Sequence, residues 1–158
     1  MSLPITHLSY KIDKERILKI ANDLRNDTGG DYIPPKELFG YLKDYVSVVE
    51  IRDNEYVNQI IKDLELKGTC YPKVGWVKPH THLTEHVDYE TLVSVNFLLS
   101  DDLAPVTFGG VDYYYTTALL NPQVPHEVKN GDKERILFRI SIIGETYESL
   151  VARIPYKI

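Results

Sequence analysis

Cysteine is almost missing from this chain: Cys70 is the only one among 158 residues. A single thiol excludes an intrachain disulfide framework and any thiolate-cluster metal site. Basic residues are also in deficit. Eighteen Lys and Arg stand against 23 Asp and Glu, giving a formal net charge of −5 and a pI near 5.5. That balance argues against binding along a phosphate backbone, and no nucleic-acid partner is expected. No apolar run approaches the length of a membrane span. The N-terminus lacks the basic flank and following apolar stretch of a secretory signal. A cytoplasmic protein with no membrane partner is therefore expected. Internal repeats, low-complexity segments and linkers are absent too, so residues 1–158 read as one domain.

What is present changes character near residue 69. Asp13 is a helix cap, and Ile17, Ile20, Ala21 and Leu24 recur at helical spacing, so Lys14–Arg25 reads as an amphipathic helix. Asn26–Pro35 carries Gly29, Gly30 and two prolines and reads as a loop. Lys36–Tyr45 reads as a short helix, and Val46–Ile51 as a strand. Asp53 is a second cap candidate. Val57, Ile60, Ile61 and Leu64 form an apolar stripe, and Gly68 sits where a helix C-terminus favours a left-handed residue. Pro4–Ile12 alternates loosely, as an edge strand would. From Thr69 on, β-branched and aromatic runs follow at close spacing: Thr69–Val77, Leu92–Leu99, Val106–Phe108, Val111–Thr116, Ala118–Leu120, Glu127–Val128, Arg135–Ile143 and Ser149–Ile154. Many short strands indicate a sandwich or barrel. The expected class is α+β, with 1–68 as helical buttress and edge strands and 69–158 as the β core.

The histidines are concentrated. Of five, three fall in Lys78–Asp88 as His80, His82 and His86, beside Glu85 and Asp88, and His126 follows in Asn-Pro-Gln-Val-Pro-His-Glu-Val. Neutral imidazole binds divalent first-row metals near pH 7. Residues i and i+2 of a strand share a face, so His80 and His82 can point into one barrel mouth, with His126 closing the set from a remote strand. His86 and Asp88, joined by His126, form a competing triad of the two-histidine, one-carboxylate type. Leu92–Leu99 reads as the next strand. Three residues separate it from Asp88 and nine from His82. The longer loop crosses a barrel more comfortably, which favours His80 and His82. Asp88 or Glu85 then serves as replacement or outer partner.

Arg135 follows His126 by nine residues. Asn130-Gly131-Asp132 between them reads as a hairpin turn, which would set the two on neighbouring antiparallel strands. In Arg135–Ile143, Ile136, Phe138, Ile140 and Ile142 form an apolar face, and Arg135, Leu137, Arg139 and Ser141 form the other. Guanidinium binds carboxylate through two parallel hydrogen bonds, so Arg135 and Arg139 suit a dicarboxylate cosubstrate. Asn96, with Ser94 and Leu98 on one face of its strand, is a candidate donor to the same ligand. Tyr113, Tyr114 and Tyr115 read either as a substrate groove or as an ordinary strand, with the strand slightly favoured.

Four segments, Gly75–His82, Ser94–Ser100, Pro125–Val128 and Arg135–Ser141, resemble the double-stranded β-helix oxygenases that use iron(II) and 2-oxoglutarate. The resemblance covers Thr69–Ile143. It implies a jelly-roll barrel buttressed by the N-terminal helices, Fe(II) as metal and 2-oxoglutarate as cosubstrate. It also implies His80 and His126 as iron ligands, Arg135 as the anchor of the far carboxylate, and hydroxylation of a small-molecule or peptide substrate. His82 stands where that family has aspartate. The chain is similar in part to the cupins as well, through His80, His82, Glu85, His126 and Asn130. That likeness implies a metal enzyme on the same barrel that does not use 2-oxoglutarate; a binding barrel of the same fold without catalysis is the third reading.

Overall fold

Strand Arg135–Ile143 organises the molecule because its two faces differ in chemistry. The computed structural model describes residues 3–27, 46–101 and 104–158. The expected helix Lys36–Tyr45 lies outside the described residues, as does most of the expected loop Asn26–Pro35. Among the described residues there are ten strands: β1 (Ile5–His7), β2 (Val46–Glu50), β3 (Thr69–Val77), β4 (His82–His86), β5 (Val93–Leu98), β6 (Val106–Phe108), β7 (Val111–Tyr113), β8 (Thr117–Leu120), β9 (His126–Lys129) and β10 (Arg135–Ile143). The helices are α1 (Lys14–Asp27), α2 (Glu55–Asp63) and α3 (Tyr147–Arg153).

The strands form two antiparallel sheets, ordered β1-β8-β5-β10-β3-β2 and β4-β9-β6-β7. From β3 to β10 the chain passes back and forth between them, and only β6 and β7 are consecutive neighbours. One face of the six-stranded sheet is apolar. Val74, Trp76, Val95, Phe97, Phe138 and Ile140 are buried there against Ile17 and Ala21 of α1, Val57 and Ile60 of α2, and Leu150 of α3. Each such side chain contributes roughly 1.5–3 kcal/mol. The other face of β10 presents Arg135, Leu137, Arg139, Ser141 and Ile143 to a cavity of about 790 Å³ shared with the four-stranded sheet. The helices thus hold the floor strands flat against one core, and the polar face is left for chemistry.

Local reading succeeds where caps and stripes are strong. Asp13 caps α1, its Oδ1 accepting from Arg16 N at 3.1 Å. For α2 the cap is Asn54 rather than Asp53: its side chain accepts from Tyr56 and Val57 N. Asp53, at φ 49, makes the preceding turn. The helix also ends before Gly68. Glu65 takes the left-handed position (φ 54), with Glu65 N donating to Lys62 O and Leu66 N to Ile61 O. Gly68 is required for a different reason. Its φ is +79, and a Cβ there would lie 2.5 Å from the Ile143 carbonyl oxygen. Left-handed backbone and a clash with another main chain together predict a loss of about 3 kcal/mol for Gly68→Ala. A thermal melt should show Tm lowered by roughly 10 °C; an unchanged Tm would mean the two segments separate freely.

Two expectations fail in the second half. Ser149–Ile154 is not a strand. Thr146 caps α3 by accepting from Ser149 N, and Tyr147, Leu150 and Ile154 bury at helical spacing. Nor do β9 and β10 form a hairpin, since they belong to different sheets. The Asn130 amide donates to the carbonyls of Val77, Lys78 and Lys133, which fixes the crossing between sheets.

Candidate metal centre

The missed strand β4 decides the site. It pairs with β9, with His82 opposite Lys129, Leu83 opposite Val128 and His86 opposite His126, and a bulge lies between Leu83 and His86. Without the extra residue, strict alternation would turn Glu85 inward with Leu83. The bulge turns His86 inward instead, a common use of bulges beside functional sites. His126 lies between β4 and β6, with its ring centroid 4.4 Å from that of His86 and 5.5 Å from that of Phe108.

Asp88 completes the group just beyond β4. Its Oδ1 lies 3.5 Å from His86 Nε2 and 3.6 Å from His126 Nε2. One ligand atom from each of the three residues falls within 4.8 Å of the others. Both imidazoles are oriented through their second nitrogen: His86 Nδ1 bonds Thr84 O at 2.7 Å, and His126 Nδ1 bonds Val124 O at 2.8 Å. With Nδ1 carrying the proton, each Nε2 lone pair faces Asp88, the arrangement that metal-binding histidines need. Arg139 Nη2 donates to Asp88 Oδ2, so Oδ1 is the oxygen left for an ion.

The electrostatics fit the same use. Burial alone would raise the Asp88 carboxyl. The Arg139 charge and hydrogen bond, with His126 and His86 behind them, outweigh burial and hold it below the usual carboxylate range. Burial pushes His126 down, against the Val124 carbonyl and Asp88, which favours the neutral ring. An ionised carboxylate and a neutral imidazole are the forms that coordinate a metal. The Asp88 segment is itself held in place. Asp88 N donates to Pro122 O, and Gln123 Nε2 donates to the carbonyls of Asp88 and Thr91.

His80 and His82, the favoured pair in the sequence, do not join this group. His80 is exposed at φ 62 in the turn before β4, with its N–H on Gly131 O. His82 Nε2 pairs with Glu127 Oε2 at 2.7 Å. Glu127 is adjacent to His126 on β9 and so points to the opposite face; His82 therefore faces outward. The cupin-like set of His80, His82, Glu85 and His126 is not assembled, and Asn130 is occupied with main-chain carbonyls.

At the other end of the cavity lies Arg135, 3% exposed. Its Nη1 donates to Ala104 O and its Nη2 to Tyr115 OH at 3.1 Å. Asn96 Nδ2 donates to the same hydroxyl, and Asn96 Oδ1 has no partner among the described residues. Tyr115 therefore accepts two bonds and keeps its own proton for a ligand. Sequence reasoning missed this role. The signal available was three consecutive tyrosines, and nothing in them distinguished Tyr115 from Tyr114, which is exposed.

Among solved structures, a prolyl-4-hydroxylase from Pseudomonas putida superposes with TM-score 0.65 at 15% identity, over 88% of this chain and 91% of that one. A viral collagen prolyl hydroxylase from Paramecium bursaria Chlorella virus-1, determined as a 2OG complex, gives 0.58 at 12%, over 88% and 94%. A salicylate 1,2-dioxygenase from Pseudaminobacter salicylatoxidans gives 0.48 at 12%, over 80% of this chain; the chain spans about a third of that enzyme, with 33% covered. No family model matches the chain, and no curated protein matches it by sequence. The fold is thus the double-stranded β-helix shared with these two hydroxylases. Among the described residues, no helix is long and apolar enough to cross a membrane.

Proposed function

We propose that this protein is a 2-oxoglutarate- and Fe(II)-dependent oxygenase that hydroxylates a small-molecule or peptide substrate. The observation that carries the reading is His86, Asp88 and His126 converging in one cavity with a buried arginine, Arg135. Two histidines and one carboxylate on one side of an ion leave three positions open, the donor set of non-haem Fe(II) oxygenases. The two observed oxygen–nitrogen separations, 3.5 and 3.6 Å, are close to the roughly 3 Å between adjacent ligands around an ion with bonds of about 2.1 Å.

In this reading His86 and His126 supply Nε2 and Asp88 supplies Oδ1. Arg139 keeps the carboxylate ionised and singly coordinating. Arg135 and the Tyr115 hydroxyl receive the far carboxylate of 2-oxoglutarate. Leu120, Val106, Phe108 and Val128 line the space between and exclude water. Fe(II) bound there would supply the redox chemistry, in which 2-oxoglutarate, O₂ and a substrate C–H bond give succinate, CO₂ and a C–OH bond.

Anaerobic calorimetric titration tests the proposal. The metal-free protein should bind one Fe(II), and the Fe(II)-loaded protein should then bind one 2-oxoglutarate. Stoichiometric metal without 2-oxoglutarate would replace this reading with a metal enzyme of another class, and no metal would leave a binding barrel.

A further inference from the structure

We infer that the substrate carries a carboxylate, and that Lys73, Arg139 and Ser141 receive it on the side of the metal ligands away from Arg135. The inference rests on the oxygenase reading only for the word substrate; the binding site stands on its own geometry. The inward residues of β10 step along the cavity floor at about 7 Å per pair of residues. Arg139, tied to Asp88, marks the level of the metal ligands. Arg135 lies two steps to one side, and Ser141 one step to the other. The floor is therefore polar on both sides of the centre, and a cosubstrate held at Arg135 leaves the Ser141 side open.

The Ser141 side is built for an anion. Lys73 on β3 is the direct partner of Arg139 across the sheet, and Tyr71 is the partner of Ser141. Ser141 is 2% exposed, and its Oγ has no hydrogen-bond partner among the described residues. Arg139 Nε is buried and equally unpartnered. Two buried donors without acceptors, at successive inward positions of β10, are what ligand oxygens would satisfy. Lys73 lines the same cavity and makes no hydrogen bond or ion pair among the described residues. Glu50, its cross-strand neighbour, accepts on Oε2 from Arg52 Nε and Nη2. Burial, with Arg139 beside it, pushes the Lys73 ammonium down, so an anion placed here would relieve an unfavourable charge.

Charge selects the ligand. Asp88 already answers Arg139, and the Glu50 carboxylate, which also holds Arg52, offsets the Lys73 charge without outweighing its burial. A single negative charge balances what remains, as a carboxylate does and a phosphate dianion does not. The mouth above is lined by Tyr71, Tyr89 and Val87, all exposed, with Tyr89 at 83%. Two phenol rings and a valine suit a flat or apolar body behind the carboxylate.

Phenylacetate and its neutral isostere phenylacetamide are suitable probes, titrated into the Zn(II)- and 2-oxoglutarate-loaded protein by ligand-observed NMR. Phenylacetate should bind at least tenfold more tightly than the amide. Lys73→Met should reduce it to the level of the amide, Lys73→Arg should restore most of the difference, and Ser141→Ala should weaken it severalfold. None of these changes should alter affinity for the amide. Equal binding of the two probes, or a preference that survives Lys73→Met, overturns the inference. So does tighter binding of inorganic phosphate than of phenylacetate. Displacement of 2-oxoglutarate by phenylacetate would assign the carboxylate to Arg135 and overturn it as well. Repeating the titration on metal-free protein separates the two readings. A Lys73-dependent preference there, beside a failed Fe(II) titration, would remove the oxygenase and keep the anion site.

Discussion

His126→Ala should abolish stoichiometric Fe(II) binding, and His82→Ala should leave it unchanged. The difference follows from which face of β9 each histidine meets. His126 Nε2 is aimed at Asp88 Oδ1 and its side chain is 11% exposed, whereas His82 is spent on an outward pair with Glu127. Loss of groups that merely orient a metal ligand costs 10–100-fold in affinity, so loss of a ligand itself should cost on the order of 100-fold or more. His86→Ala should behave like His126→Ala. Asp88→Asn should be at least as severe, because it removes the anion that answers Arg139 and leaves that guanidinium beside a divalent cation. His80→Ala should resemble His82→Ala, and removal of the exposed His82–Glu127 pair should change stability by less than about 1 kcal/mol. Metal content after desalting, with calorimetry on each variant, gives the answer. Retained iron in His86→Ala, or lost iron in His82→Ala, would return the site to the His80 and His82 pair.

That pair was attractive in the sequence for a reason the structure makes plain. Strand β4 reads His-Leu-Thr-Glu-His, polar and mostly exposed at the edge of the smaller sheet. It has no apolar alternation from which to infer a strand, so the segment reads as loop, and counting loop residues then favours His82 over Asp88. The bulge that turns His86 inward is a property of pairing with β9, and nothing local announces it. By contrast β3 and β10 lie in the middle of the larger sheet with apolar residues packed on the helices. Their limits, Thr69–Val77 and Arg135–Ile143, are legible from alternation alone. The Asn130-Gly131 turn shows the intermediate case. A turn is visible in the residues, but which sheet the chain rejoins depends on the carbonyls that the Asn130 amide finds. Arg135, Arg139 and Asn96 could be assigned to the inward face before the structure, because face follows from parity within one strand. Their neighbours could not, since Tyr115 and Asp88 come from connecting segments and Lys73 from another strand.

Arg135→Ala should weaken 2-oxoglutarate binding by about 100- to 1000-fold while leaving Fe(II) affinity within a few-fold of the parent protein. A buried guanidinium that meets a carboxylate through two charge-assisted bonds contributes about 3–4 kcal/mol, which sets that range. The side chain is held ready by Ala104 O and Tyr115 OH, so little ordering remains to be done when the ligand arrives. Arg135→Lys keeps the charge but not the fork, and should fall between the two. Tyr115→Phe removes one donor and should cost about tenfold, in line with a single bond to a charged group. Both effects should appear in calorimetry of the Fe(II)-loaded protein under anaerobic conditions. Arg135 is four residues from Arg139, roughly 13 Å along the strand, so a simultaneous loss of metal would mean that the substitution had disturbed the fold. A circular dichroism melt distinguishes that case. If 2-oxoglutarate binds Arg135→Ala as tightly as the parent, the cosubstrate assignment is wrong, and the buried arginine serves the fold alone.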